Sequence, residues 1–248
     1  MERSLLREGA RVVVGMDEVG RGALAGPVSV GAVAVDLSTG ACPPGVADSK
    51  LLRPAAREAL LPSLARWGLA RAVGHASAAE IDEHGIVGAL RLAGGRAMAA
   101  LEIEVDVVLL DGSHDWLSAP RRPARPMTLL DLLDDDSAPH GPASAAETVP
   151  EVRTMVRADQ RCSSVAAASI LAKCERDALM VAHDAAFPAF GWAGTKGYGA
   201  PDHLAALAVH GPSVLHRVSW RLPGCEPGVA VGPAGSGGDA RSAPPDGP

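Results

Sequence analysis

Aromatic side chains are scarce in this sequence: two Phe, four Trp and one Tyr make up 3% of 248 residues. The core must therefore be filled by Ala, Val and Leu, and any exposed ring is informative. No stretch approaches the roughly 20 apolar residues a membrane span requires. The first ten residues, with Glu2, Arg3, Arg7 and Glu8, lack the apolar core of a signal peptide. The chain is expected to be soluble and cytoplasmic, with no membrane partner. The four cysteines, Cys42, Cys162, Cys174 and Cys225, lack the C-x-x-C spacing of a structural zinc site, and a chain of this length needs no disulfide staples. They read as reduced thiols.

A strongly basic balance is also missing, since the formal net charge is -6. Residues 115–153 carry -3 of this and residues 223–248 carry -2, which leaves the remainder nearly neutral. Net charge speaks to solubility and long-range steering, not to one cleft, so it neither supports nor excludes nucleic-acid binding.

What is present alternates between two periods. Arg11 to Met16 and Pro27 to Asp36 are Val-rich runs bounded by Gly and Pro, the pattern of buried strands. Pro54 to Trp67 has helical spacing with Pro at its first position, although Arg53 is a poor cap and Pro62 should kink or shorten it. Leu69 to Ser77 reads as a third strand, Ala78 to Leu101 as a helix, Asp106 to Leu110 as a buried strand, and Arg153 to Arg157 as a short one. Ser164 to Ala186 is the strongest helix, with Ser163 or Ser164 as its cap and an Ala-rich first half that allows close approach to a sheet. Pro201 to His210 is another helix. This alternation is α/β. About residues 115–149 form an irregular, Pro- and Asp-rich insertion, with one helical turn read at Met127 to Leu133. The folded domain is expected to span residues 1–222, followed by a disordered Gly- and Pro-rich tail, 223–248.

Three constellations carry chemistry. In G-M-D-E-V-G-R-G-A-L-A-G-P, Asp17 and Glu18 end an apolar strand and are followed by Gly20, Arg21 and Gly22. Charge at the end of a buried strand is unfavourable unless something binds it. The glycines permit the break that would let both carboxylates serve one site and would expose backbone groups to a ligand. Asp111 closes a second apolar strand, and Asp159 follows a third. Ligands of α/β sheets gather at strand ends, so the four acids could converge. Hard oxygen ligands without Cys or clustered His suit Mg²⁺ or Mn²⁺, and two such ions can serve an in-line phosphodiester displacement. Taken singly, each acid is more simply a turn or cap residue. The third constellation, G-T-K-G-Y-G-A-P-D-H, puts the sole tyrosine, Tyr198, beside Lys196 in a Gly-rich loop, suited to stacking on a sugar or base next to a phosphate. Lys50 and Arg57 add two cations near a helix start. The run Asp134 to Asp136 reads as solvated loop acids, and His203, His210 and His216 as packing or capping residues.

In order and spacing, D-E-V-G-R-G-x-L-A-G-P-V, A-D-S-K-L-L, L-L-D-G, A-D-x-x-x-x-S-V-A-A-A-S-I-L-A-K-x-x-R-D, K-G-Y-G and H-G-P-S-x-x-H-R resemble the ribonuclease HII family, over most of Arg11 to Arg221. The resemblance implies a ribonuclease H-like α/β fold: a central mixed five-stranded sheet flanked by helices, with a helical C-terminal part. It implies an endoribonuclease that hydrolyses the RNA strand of RNA/DNA hybrids and cuts 5′ of single ribonucleotides embedded in duplex DNA, using two divalent ions, Mg²⁺ or Mn²⁺, and leaving 5′-phosphate and 3′-hydroxyl ends. Carried over by motif, the catalytic metal ligands fall on Asp17, Glu18, Asp111 and Asp159. Gly20, Arg21 and Gly22 would sense the ribose 2′-hydroxyl, Tyr198 would stack on the neighbouring deoxyribose, and Lys50, Arg57 and Lys196 would meet phosphates, with Lys173 and Arg176 as weaker candidates. A monomer is expected, and no protein partner is specified. The sequence departs from the family pattern at Arg53, Arg157, Ala200 and the long insertion, none of which touches a carboxylate. The rival readings are another metal nuclease of the same fold, a silent hybrid-binding module, and a nucleotide-binding switch, the last disfavoured because the Gly-rich run is not G-x-x-x-x-G-K-[ST].

Overall fold

The two Val-rich runs become neighbouring antiparallel strands, β1 (Val13–Val19) and β2 (Val28–Val35), in the computed structural model, which describes residues 1–118 and 150–225. β2 is buried at every position and β1 at its first five. Coverage on both faces is what an unbroken apolar run requires, in place of strict alternation. β3 (Ala70–Ala76) adds antiparallel to β2, while β4 (Val107–Asp111) and β5 (Glu151–Met155) add parallel on the other side of β1. The result is the expected mixed five-stranded sheet, in the order β3-β2-β1-β4-β5.

A six-residue helix, α1 (Glu2–Arg7), precedes the sheet where the sequence shows no clear period. α2 (Pro54–Leu64) starts at its proline without a side-chain cap from Arg53 and stops two residues after Pro62, short of Trp67. α3 (Ala78–Leu101) lies against β3 and β2 on one face. Its start is a capping box: the Ser77 hydroxyl accepts from the Glu80 amide at 3.2 Å, and the Glu80 carboxylate accepts from the Ser77 amide at 2.8 Å. The continuous helix read over this span is broken at Gly85, whose φ of 69° and ψ of 167° lie outside helical space.

α4 (Ser163–Asp184) packs on the opposite face of β1 and β2. Its Ala-rich half meets strand glycines: a Cβ on Gly15 would overlap Ser164 and Val165, and one on Gly31 would overlap the Ala168 backbone. The sheet and helix backbones therefore approach more closely than side chains would permit. The expected Ser cap is not what starts this helix. Cys162 occupies the cap position without a side-chain capping bond, and the Glu2 carboxylate of α1 accepts from both the Ser164 amide and hydroxyl at 2.9 Å. An acid at a helix N-terminus is favourable, and here it comes from 162 positions away. A C-terminal group of α5 (Trp192–Thr195) and α6 (Pro201–His210) closes around Trp192, Phe190, Met180 and Leu207. The helical turn read at Met127 to Leu133, the acidic run 134–136 and the tail from residue 226 lie outside the described residues. Among the described residues, no helix is long and apolar enough to cross a membrane.

Candidate active site

Strand register brings the first three acids to one edge. Parallel pairing of β1 with β4 runs as far as Met16 opposite Leu110, so Asp17 and Asp111 are the next residue of each strand, at the same end of the sheet. β5 ends at that side too, with Met155 opposite Asp111. The chain then turns through Arg157, a non-glycine residue at φ 58°, into a short 3₁₀ turn, Ala158–Gln160, that carries Asp159. The Asp111 carboxylate accepts from the Ala158 amide at 2.7 Å and so fixes that turn. Asp17, Glu18, Asp111 and Asp159 thus stand at the carboxyl ends of three parallel strands, where α/β sheets bind ligands.

The electrostatics agree with a shared site. Asp17 is 3% exposed. Its carboxyl is pushed up to about 7 by burial and by Glu18 and Asp111, against the Ser169 hydroxyl and Lys50, which favour the anion. Glu18 is raised by burial and Asp111, with Arg21 opposing at 3.5 Å. Asp159 is pushed up to about 6 by burial, then by the nearby acids Asp111 and Asp48. Burial lowers the Lys50 ammonium, but Asp17, Asp48, Asp159 and Asp111 outweigh that and leave it raised. Lys50 is therefore a cation near Asp17, Asp48, Asp111 and Asp159. They do not yet close on one point: among the described residues, no three Asp, Glu, His or Cys side chains form a ready ligand set. Local bonds engage two of them. One Asp17 oxygen accepts from the Glu18 amide at 2.9 Å, and Asp111 is turned to Ala158. Asp159 Oδ1 is buried with no hydrogen-bond partner, an orphaned hard acceptor that suits a divalent cation.

Lys50 owes its place to a small scaffold. Asp48 accepts from the Lys50 amide at 2.9 Å, Ser49 bonds Ser169 at 2.8 Å, and Arg57 donates to the carbonyls of Ser49 and Leu52, both at 2.8 Å. Arg57, expected to meet a phosphate, is engaged within this scaffold. It is 8% exposed, its Nη1 makes both of these carbonyl bonds, and Asp177 lies 3.9 Å from Nη2. Arg57 shapes the loop that presents Lys50, which is itself exposed.

The Tyr198 loop lies against the Gly-Arg-Gly segment. The Gly197 carbonyl accepts from the amides of Leu24 and Ala25 at 2.8 and 3.2 Å. Tyr198 is 37% exposed, with the Arg176 guanidinium 5.4 Å from its ring centre and Lys173 at 6.0 Å. Lys196 folds back onto the Ala193 carbonyl. Arg176 is no surface cation either: it is fully buried and donates to the carbonyls of Pro27, Ala25 and Lys196 at 2.8, 3.2 and 3.0 Å. Beneath the loop, His203 Nδ1 meets the Tyr198 carbonyl at 2.8 Å, and His203 Nε2 meets His216 Nε2 at 3.0 Å. Burial holds both imidazoles below their usual range, His216 at about 4, so they are neutral packing groups, as the sequence suggests. Sequence reasoning missed Asp48 and Arg217. Both stand in motifs, A-D-S-K and H-G-P-S-x-x-H-R, but nothing in their spacing distinguishes a scaffold from a surface charge.

The fold is that of solved ribonucleases H. It is similar to ribonuclease H2 of Pyrococcus horikoshii at a TM-score of 0.58 and 24% identity, over 86% of this chain and 95% of that one. A mixed five-stranded sheet of this order, with acids at its parallel strand ends, places the molecule in the ribonuclease H-like fold class. A family profile described as Ribonuclease HII matches residues 14–222. The ribonuclease HII proteins of Streptomyces avermitilis and Streptomyces coelicolor are each 42% identical over 221 residues, covering 89% of this chain and 82% of theirs. The chain belongs to the ribonuclease HII family.

Proposed function

We propose that this hydrolase cuts the RNA strand of RNA/DNA hybrids and also cuts 5′ of a single ribonucleotide in duplex DNA, leaving 5′-phosphate and 3′-hydroxyl ends. The observation that supports the reading is that Asp17, Glu18, Asp111 and Asp159 lie at or just after the ends of neighbouring strands at one sheet edge, with the Gly20 to Gly22 turn closely following Glu18 in the chain. The four carboxylates would hold two divalent ions, Mg²⁺ or Mn²⁺, and the orphaned Asp159 oxygen supports that fit. When bound, such ions lower the pKa of water and neutralise charge on the departing oxygen. Lys50 and Lys196 would hold phosphate oxygens, and Tyr198 would stack on the sugar next to the ribonucleotide. Arg21 and Gly22 are exposed beside Glu18 and would meet the 2′-hydroxyl, the group that distinguishes RNA from DNA. The enzyme would act as a monomer in the cytoplasm.

The test is cleavage of a duplex with one ribonucleotide and of its all-DNA counterpart, in Mg²⁺ and in Mn²⁺, with product ends mapped. Cleavage only 5′ of the ribonucleotide is expected, lost in Asp17→Asn and Asp159→Asn proteins that remain folded. Cutting of the all-DNA duplex at equal rate would favour a nuclease of the same fold without ribose selectivity.

A further inference from the structure

Arg217 is fully buried, and among the described residues no carboxylate pairs with it. Burial pushes its guanidinium down to about 9, with Arg176 contributing. A cation is a poor choice for a core position unless its donors are needed. They are: Nη2 donates to the Gly20 carbonyl at 2.6 Å, Nη1 to the Arg21 carbonyl at 2.9 Å, and Nε and Nη2 to the Gly26 carbonyl at 3.3 and 3.1 Å. The Trp220 ring lies 4.7 Å from the guanidinium carbon and covers it. Arg176 backs the same turn, for a Cβ on Gly20, at φ 84°, would collide with its side chain.

The direction of these bonds has a consequence. In a trans peptide the carbonyl and the amide N–H point opposite ways, and among the described residues no peptide bond is cis. With the Gly20 and Arg21 carbonyls drawn inward to Arg217, the amides of Arg21 and Gly22 must face outward. Neither has a partner among the described residues, and a Cβ on Gly22 would meet nothing within 4 Å. Two adjacent free donors therefore open onto the surface next to Glu18.

We propose that Arg217 is the positioning residue of ribose selection: it holds the Gly20 to Gly22 turn so that the Arg21 and Gly22 amides point at the ribose 2′-oxygen. The inference rests on the function proposed above. Lys keeps the charge but not the fork, so Arg217→Lys is the informative variant, and Arg217→Gln, which keeps two donors without charge, is the second.

Binding is measured in EDTA by fluorescence anisotropy, with a duplex containing one ribonucleotide and with its all-DNA counterpart. Amide resonances of Arg21 and Gly22 are followed in ¹⁵N-labelled protein, and melting confirms that each variant is folded. In wild type, the ribonucleotide duplex is expected to bind more tightly and to move both resonances. In the folded variants both resonances shift without ligand, and the preference for the ribonucleotide falls about tenfold, the change expected for about 1.4 kcal/mol of lost orientation, while affinity for the all-DNA duplex holds within about twofold. Unshifted resonances or an unchanged preference in a folded variant overturns the proposal. So does a wild-type protein that prefers the ribonucleotide yet leaves the two amides unmoved, whatever the variants do. If wild type shows no preference at all, the functional reading fails by itself, and the variant resonances still report whether Arg217 sets the turn.

Discussion

Replacing Asp17 with Asn should stabilise the metal-free protein while abolishing cleavage. In the fold this carboxyl is 3% exposed and titrates at about 7, against an ordinary value of 3.8. The folded state therefore holds its proton more tightly than the unfolded chain does. That contribution to stability is fully present below pH 3.8 and is lost as pH rises through 7. Linkage over this interval gives a penalty of about 4 kcal/mol at pH 8 and about 2 kcal/mol at pH 5, upper values because the site relaxes around the charge. Asn has nearly the same shape, accepts from the Glu18 amide in the same way and carries no charge at any pH. Urea titrations of both proteins in EDTA from pH 5 to pH 8 should show the variant more stable at pH 8 by a few kcal/mol, with the gap narrowing toward pH 5. Excess Mn²⁺ should then raise wild-type stability and leave the variant nearly unchanged, because only the intact acid set binds the ion. A variant less stable than wild type at pH 8 in EDTA, or a gap independent of pH, would refute the assignment of a strained, desolvated carboxylate at this strand end.

Two further outcomes follow from the geometry. Tyr198→Ala should raise KM for a ribonucleotide-containing duplex about tenfold or more, the worth of one stacked ring, with kcat at saturation little changed; steady-state kinetics separates the two. Glu2→Ala removes the carboxylate that caps α4 and should cost about 1 kcal/mol, lowering the melting temperature by about 2–4 °C with no effect on KM.

β1, β2 and β4 were legible because their burial leaves continuous apolar runs, and all five strands fall within a few residues of the expected spans. Asp17, Glu18 and Asp111 stand out as candidates because each ends such a run, whereas Asp159 follows a partly exposed strand and is singled out by its motif. Helix ends were less legible. Gly85 breaks α3 although its neighbours keep the helical period, and α4 takes its cap from Glu2, a partner no local pattern can reveal. Arg57 and Arg176 illustrate a second blind spot. An arginine read from sequence is a cation looking for a phosphate, yet both guanidinium groups are occupied by backbone carbonyls of the loops that present Lys50 and Tyr198. Which atoms of an arginine bond backbone carbonyls depends on where those carbonyls point, and that is set by tertiary structure: Arg57 uses Nη1 alone, and Arg176 reaches Ala25 and Pro27 as well as Lys196.

The bond between Asp111 and the Ala158 amide, together with the pairing of β4 and β5, clamps both ends of the connection that runs over residues 112–150. The spacing of Asp111 and Asp159 is thereby set by one strand pair and one hydrogen bond, both local to the sheet edge. A substitution that loosened that junction would spoil two acids at once while leaving the paired β1 and β2 untouched.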